Sequence, residues 1–111
     1  MPEASESLTF LNAVVDLATS LASDGVEIYS VTYQSQVFGS WEIESGRRRV
    51  RVRVTWDGKD RHLSVATAQL AAGSSARAWQ LAEEHDFRNR RPDLPQLFGT
   101  VRAAIRAHAG V

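Results

Sequence analysis

The sequence predicts an α+β fold: an N-terminal helix, a four-stranded antiparallel meander sheet and two C-terminal helices packed on one sheet face. Within the segment 47–56, residues 49–54 alternate strictly between arginine and valine, which is typical of a half-buried strand. On both sides of this region, apolar residues recur at spacings of three and four, which indicates amphipathic helices. A chain of 111 residues has the length of one domain. Residues 1–111 are therefore predicted to form a single α+β domain, with residues 1–4 as a disordered tail.

The first helix is predicted to begin at Ser5 or Ser7, since serine is a favoured N-cap residue, and to end near Gly25. Its predicted buried stripe consists of apolar residues three or four positions apart: Leu8, Leu11, Val14, Val15, Ala18 and Leu21.

Four strands are predicted to follow, at about residues 26–33, 37–45, 47–56 and 61–70. Three of them alternate cleanly between the two faces of a sheet. The first does not, since Ile28 and Val31 fall on different parities, and this break predicts a bulge near Tyr29 and Ser30 or an element covered on both faces. The predicted buried face comprises Trp41, Ile43, Val50, Val52, Val54, Leu63 and Val65.

Two turns set the predicted register. A two-residue loop at Ser45-Gly46 would place Trp41 opposite Val50, Glu44 opposite Arg47 and Glu42 opposite Arg49, leaving Arg51 and Arg53 without acidic neighbours. Asp57-Gly58 favours a hairpin turn. A two-residue loop there pairs Val54 with Arg61, and a four-residue loop at 57–60 pairs it with Leu63. Both alternatives bury the same side chains, because they differ by an even number of residues.

The two C-terminal helices are predicted at residues 76–87 and 94–108. Ala78, Trp79, Ala82 and His85 line one side of the first. Asp93 is well placed to cap the second. The apolar stripe of the second helix comprises Leu97, Val101, Ala104, Ile105 and His108.

Charge is distributed unevenly although the formal net charge is zero. Residues 1–46 contain seven acidic residues and no Lys or Arg, whereas residues 47–111 contain all thirteen basic residues and six acidic ones. The halves therefore carry −7 and +7. Twelve of the thirteen basic residues are arginine, whose planar guanidinium suits contacts with carboxylate or phosphate. This split and the two edges of the predicted sheet favour self-association, as a homodimer that weakens with salt.

Enzyme signatures are missing from the sequence. The chain has no cysteine, and its three histidines show no metal-ligand spacing. Neither a G-x-S-x-G motif nor a glycine-rich phosphate loop occurs. We therefore expect a protein that is not an enzyme and has no cofactor or metal. The absence of a charged leader and of a long apolar run predicts a cytoplasmic protein that does not enter a membrane.

The arginine-rich sheet face is the candidate site. It predicts a small protein-binding module that contacts an acidic partner surface, because arginine and aromatic residues anchor many interfaces. The alternative is a nucleic-acid-binding domain that uses the same face. A third interpretation is a merely solvated face. The predicted partner-binding residues are Arg49, Arg51, Arg53, His62, Phe38, Arg88, Arg90 and Arg91.

Overall fold

The computed structural model describes residues 2–34, 36–70, 78–89 and 92–111, with side chains from residue 8 onward. Within these ranges the sheet has five antiparallel strands in the order β1-β2-β3-β4-β5, each paired with its neighbours in sequence. Two helices flank it in the chain. The elements are α1 (Pro2–Ala22), β1 (Glu27–Gln34), β2 (Ser40–Arg47), β3 (Val50–Asp57), β4 (His62–Gln69), β5 (Gln80–Asp86) and α2 (Leu94–Ala109).

The prediction of an α+β protein with an antiparallel meander is confirmed, but the helix expected at residues 76–87 is wrong. Gln80–Asp86 forms β5, which pairs with β4. Alanine, leucine and glutamate in this segment favour a helix in isolation. The exposed edge of β4 offers a ladder of backbone hydrogen bonds instead, and tertiary pairing of this kind overrides propensity. The first residues of the expected helix and its serine caps, at positions 74–77, lie outside the described residues.

The hairpin registers also differ from the prediction, although the parity of each strand is as expected. The β2–β3 turn is formed by Arg48 and Arg49, not by Ser45-Gly46, and Arg48 has a positive φ of 58°. This register pairs the full length of two eight-residue strands and sets Trp41 opposite Trp56 and Ile43 opposite Val54. The predicted turn would have left the second half of β3 without a partner on β2.

The β3–β4 loop spans residues 58–61, one residue later than the longer predicted loop. Val54 therefore lies opposite Val65, and neither predicted register is correct. Asp57 begins the loop by accepting hydrogen bonds from the backbone N–H groups of Lys59 and Asp60. The bulge expected near Tyr29 is confirmed, since the β1–β2 register shifts between Ile28 and Ser30.

One hydrophobic core lies between the helices and a single face of the sheet. The predicted sheet residues Trp41, Ile43, Val52, Val54, Leu63 and Val65 are all buried, and Val50 is partly buried. Helix α2 contributes its predicted residues Leu97, Val101, Ala104 and Ile105, whereas His108 is half-buried.

Half of the stripe predicted for α1 is wrong, because Leu8, Leu11 and Val15 are more than half exposed. Leu21 is buried as predicted, and Phe10 and Leu17 are buried in place of the exposed residues. The ring of Phe10 stacks on Tyr33 at 4.7 Å and lies 5.7 Å from Trp41, so the helix is rotated to bury its only aromatic side chain in an aromatic cluster. The helix begins at Pro2, ahead of the expected start; the expectation that residues 1–4 are disordered stays a prediction.

Local signals explain the position of α2. Asp93 accepts a hydrogen bond from the backbone of Gln96, whose side chain in turn accepts one from the backbone of Asp93. This reciprocal capping box fixes the start of the helix. Gly110 ends it in the left-handed conformation, with φ of 82°.

Candidate interaction site on the open sheet face

The face of the sheet opposite the core, called the open face here, is covered by neither of the two described helices. Its residues alternate with the core residues along each strand. The pairing of Gly46 with Arg51 and of Glu44 with Arg53 places both arginines on this face, next to β2. On β4 the residues paired with them are Ala68 and Ala66. The centre of the open face therefore holds two long cationic side chains that have alanines as their neighbours on β4.

Arg51 lies flat toward β1. Its guanidinium carbon is 4.3 Å from the centre of the Tyr29 ring. Gly46 makes this path available, because a Cβ atom at that position would lie 2.9 Å from both Cδ and Nη1 of Arg51. The guanidinium also donates hydrogen bonds to the carbonyl oxygens of Arg48 and Val50, at 3.0 and 3.1 Å. Glycine on one strand and the bulge on the next thus hold Arg51 in one orientation.

Arg53 makes the corresponding contact on the same open face, but in the direction of β5. Its guanidinium carbon is 4.2 Å from the centre of the Trp79 ring, so the contact passes over β4 where the open-face residues are alanines. Nε of Arg53 lies 3.7 Å from a carboxylate oxygen of Glu42, and Glu44 is its cross-strand neighbour. The prediction that Arg53 lacks an acidic neighbour is therefore wrong.

Arg51 differs from Arg53 in this respect. Among the described residues no carboxylate forms an ion pair with Arg51, although a stacked guanidinium keeps donor groups on its edge. The combination of Tyr29, Arg51, Arg53 and Trp79, called the Arg/aromatic row here, crosses the open face from β1 to the start of β5.

The open face is not the basic stripe that the sequence indicated. Arg47 follows the core parity of β2, and its Nη1 donates to the carbonyl of Gly110 at 3.3 Å, on the helix side. Arg49 lies in the β2–β3 turn and is exposed. Of the described arginines, the strand pairing therefore leaves two on the face. The carboxylates that the same pairing places there are more numerous: Glu27, Glu42, Glu44, Asp57, Glu84 and Asp86.

The other predicted site residues do not join the Arg/aromatic row. Phe38 is 68% exposed in the β1–β2 turn, with φ of 54°, and contacts the β3–β4 loop through its backbone beside Gly58. It is not opposite Arg53, as the predicted register required. This turn joins the end of β1 to the start of β2, whereas Arg51 lies near the β2–β3 turn at the opposite end of the strands.

His62 and Arg88 belong to a separate charged cluster at the start of β4 and the end of β5. His62 lies between Asp57 and Asp86 in the strand pairing, with Nε2 3.5 Å from Glu84. Arg88 forms a bidentate contact with Asp86 at 2.8–3.1 Å, which lowers the pKa of that carboxyl and raises the pKa of the guanidinium. Arg90 and Arg91 lie outside the described residues.

The sequence prediction did not include Tyr29 and Trp79 in the site. The signal for Tyr29 was its position at the predicted bulge, where the side chain leaves the regular alternation. Trp79 was assigned to a helix, and its contact with β3 could not be foreseen from that assignment.

A second cluster of titratable groups lies on the helix side of β5. Glu83 accepts hydrogen bonds from Nε2 of His85, at 2.9 Å, and from Nε2 of His108 on α2. The hydrogen bond from His85 is the largest of the effects that hold the pKa of Glu83 below its ordinary value, and His108 adds to it. Within the part of the chain that the structure describes, no group of three or more His, Asp or Glu side chains has an arrangement suited to a metal ion.

The fold and the site together define a two-layer α+β protein with one sheet face open and crossed by stacked arginines. Comparison with protein-family models, with curated proteins and with solved structures found no match. Neither described helix is long and apolar enough to cross a membrane.

Proposed function

We propose that this protein is a small interaction module that binds a partner protein through its open face, with Arg51 and Arg53 receiving carboxylates of the partner. The observation that carries the proposal is the Arg/aromatic row, in which both guanidiniums are held against aromatic rings at 4.2–4.3 Å. The location in the cytoplasm and the lack of enzymatic activity stay predictions.

The chemistry of the row favours protein recognition. Arg, Trp and Tyr are the residue types most enriched among the energetic anchors of protein interfaces. A guanidinium stacked on a ring has lost much of its rotational freedom before a partner arrives, so less entropy is lost on binding. Its edge still offers N–H groups for a bidentate contact with a carboxylate. Arg51 best fits this role, since none of the described carboxylates is paired with it.

Nucleic acid is the alternative ligand, and the charge of the face opposes it. Binding to a phosphate backbone depends on several Lys or Arg contacts and gains little from a surface where carboxylates outnumber them. Tyr29 and Trp79 could stack on bases. However, each already has a guanidinium against one face of its ring.

The first experiment removes the positive charge of the row and keeps a polar side chain at each position. The double variant Arg51→Gln/Arg53→Gln, immobilised and exposed to native lysate, should lose at least about tenfold in captured partner, because anchor residues contribute 2 kcal/mol or more each. The matched control is Arg102→Gln/Arg106→Gln on α2, which removes the same charge from exposed positions in the other layer and should capture the partner as the parent does. Equal capture by all three proteins, quantified by mass spectrometry, would show that the row does not bind a partner.

The second experiment separates the two ligands. Single-stranded and duplex oligonucleotides are titrated against the parent at several salt concentrations, with fluorescence anisotropy as the readout. We expect no binding tighter than millimolar near physiological salt. Submicromolar binding with a log–log salt slope of about 0.7–0.9 per phosphate contact, reduced by the double variant, would replace the proposal with the nucleic-acid alternative.

A further inference from the structure

The outer edge of β1 is an edge of the sheet with which none of the other described strands pairs. Its sequence EIYSVTYQ is rich in β-branched and aromatic residues, and Glu27 at its first position is its only charge. Natural proteins usually protect such edges with lysine, proline, charges that point inward or β-bulges. In β1 the bulge lies near the first end of the strand, between Ile28 and Ser30, and none of these features occurs from Ser30 to Gln34.

An apolar stripe on α1 lies beside this edge. Leu8, Leu11 and Val15 lie on a different face of the helix from its buried residues, and they are 60%, 53% and 61% exposed. The opposite flank of α1, which includes Asp16 and Ser20, lines the groove toward α2. The apolar stripe therefore points away from α2. It lies on the side of α1 that faces the β1 edge of the sheet.

Val31 connects the two features. It pairs with Ile43, so its side chain lies on the helix side of the sheet, yet it remains 37% exposed. A side chain on the core face that stays this exposed indicates that the layer above β1 is incomplete at the edge.

We propose that the β1 edge and the α1 stripe (Leu8, Leu11, Val15 and Val31), called the β1 interface here, form a twofold contact with a second copy of this chain. The two β1 strands pair antiparallel into a ten-stranded sheet, and the two α1 stripes pack across the axis on the helix side.

The geometry and the charge of the β1 edge both favour a second copy of this chain as the partner. A strand is the element that satisfies the outward row of backbone groups along a sheet edge, and antiparallel pairing of β1 with itself is symmetric, as a twofold interface requires. This pairing places the two Glu27 carboxylates at opposite ends, so no like charges meet. By contrast, β5 at the other edge carries Glu83, Glu84 and Asp86 within seven residues, so self-pairing there would bring carboxylates together.

The area is also sufficient. The solvent-exposed area of the four apolar side chains is roughly 350 Å² per copy, or about 700 Å² for the pair. Specific interfaces bury upward of about 1,000 Å² in total, of which somewhat more than half is apolar. The paired strand edges and polar rim supply the remainder.

Light scattering coupled to size-exclusion chromatography tests the proposal. At concentrations up to about 100 μM the parent should show twice the mass of one chain. The mass should persist at high salt because the contact is apolar, in contrast to the charge-driven, salt-sensitive association that the sequence predicted. Val31→Lys and, separately, Leu11→Glu/Val15→Glu should give the mass of one chain while circular dichroism stays that of the parent. Leu81→Lys introduces the same charge at the β5 edge, where Leu81 is 60% exposed, and should leave the dimer intact.

A monomeric parent, a dimer that dissociates with salt, or a dimer broken by Leu81→Lys and not by Val31→Lys would each overturn the β1 interface. Amide hydrogen exchange gives a second readout, since the outward N–H groups of β1 should be protected in the parent and exchange rapidly in Val31→Lys. The partner-capture experiment with Arg51 and Arg53 is independent, because neither arginine belongs to the β1 interface.

Discussion

The two faces of the same five strands follow different rules of construction. On the helix side, Ile43, Val52 and Val54 are fully buried and could be exchanged for other apolar residues of similar volume. On the open face, each contact depends on one particular neighbour: Arg51 needs Gly46 beneath it and Tyr29 beyond. The comparison teaches that parity alone determines a core face, whereas an open face depends on register.

The strongest test of this contrast substitutes adjacent residues. Val52→Asp places a carboxylate in the core without a partner, and we expect the loss of several kcal/mol, enough to unfold a domain with a total stability of about 5–15 kcal/mol. Arg51→Asp, one residue away on the open face, should remain folded. Thermal unfolding followed by circular dichroism distinguishes them. A Val52→Asp protein that melts with the parent would contradict the assignment of the two faces.

A smaller effect is expected from Gly46→Ala. The added Cβ would lie 2.4 Å from the carbonyl oxygen of Val50 and 2.9 Å from the Arg51 side chain, so backbone and side chain must both move. Overpacking of this kind costs about 1–3 kcal/mol. Urea denaturation measures the loss, and the Tyr29 ring resonances in NMR spectra should shift as the guanidinium leaves.

Gly99→Ala is the matched control. Nothing lies within 4 Å of a Cβ at Gly99, which is in the middle of α2, so alanine should stabilise the helix by about 0.5–1 kcal/mol. If both alanine variants were stabilised, Gly46 would not be needed for the path of Arg51.

The smallest effect concerns the hydrogen bonds between β5 and α2. The folded pKa of Glu83 lies below its ordinary value of 4.5, so the ionised carboxylate favours the folded state. Its contribution is fully present above the ordinary pKa and is lost as the pH falls through the lower, folded pKa. The stability of the parent should therefore approach that of Glu83→Gln as the pH is lowered from about 6 to below 4. If the urea midpoints of the parent and of Glu83→Gln stayed equally far apart over this pH range, the lowered pKa of Glu83 would not contribute to the stability of the fold.

Much of the fold followed from local patterns in the sequence. Alternation identified the buried residues of β2, β3 and β4, and the Asp93 cap located α2 correctly. These features depend on neighbouring residues only, so they are visible without knowledge of the rest of the chain. The β5 segment was missed because its residues favour a helix, and only the free edge of β4 reverses that preference.

The candidate site was predicted less well, for a physical reason. A register shift of six residues at the β2–β3 hairpin keeps each side chain on its face but changes its neighbour across the strands. Arg53 therefore moved from a place opposite Phe38 to a place opposite Glu44, and Arg51 came to lie over Gly46. Of the predicted residues, Arg51 and Arg53 lie at the centre of the open face, and Trp79 joins them from outside the prediction.

The strictly sequential strand order has a consequence for how the chain folds. Every strand of the sheet pairs with the strand before or after it in sequence, so the first three hairpins close loops of two to five residues and the β4–β5 hairpin closes one of ten. Proteins with many such local contacts fold quickly for their class. Val101 and Ile105, which cover the core over β2 and β3, belong to α2, which follows all five strands in sequence. The hairpins can therefore form before α2 is available, but the apolar surface of β2 and β3 that lies under α2 is covered only when that helix packs on the sheet.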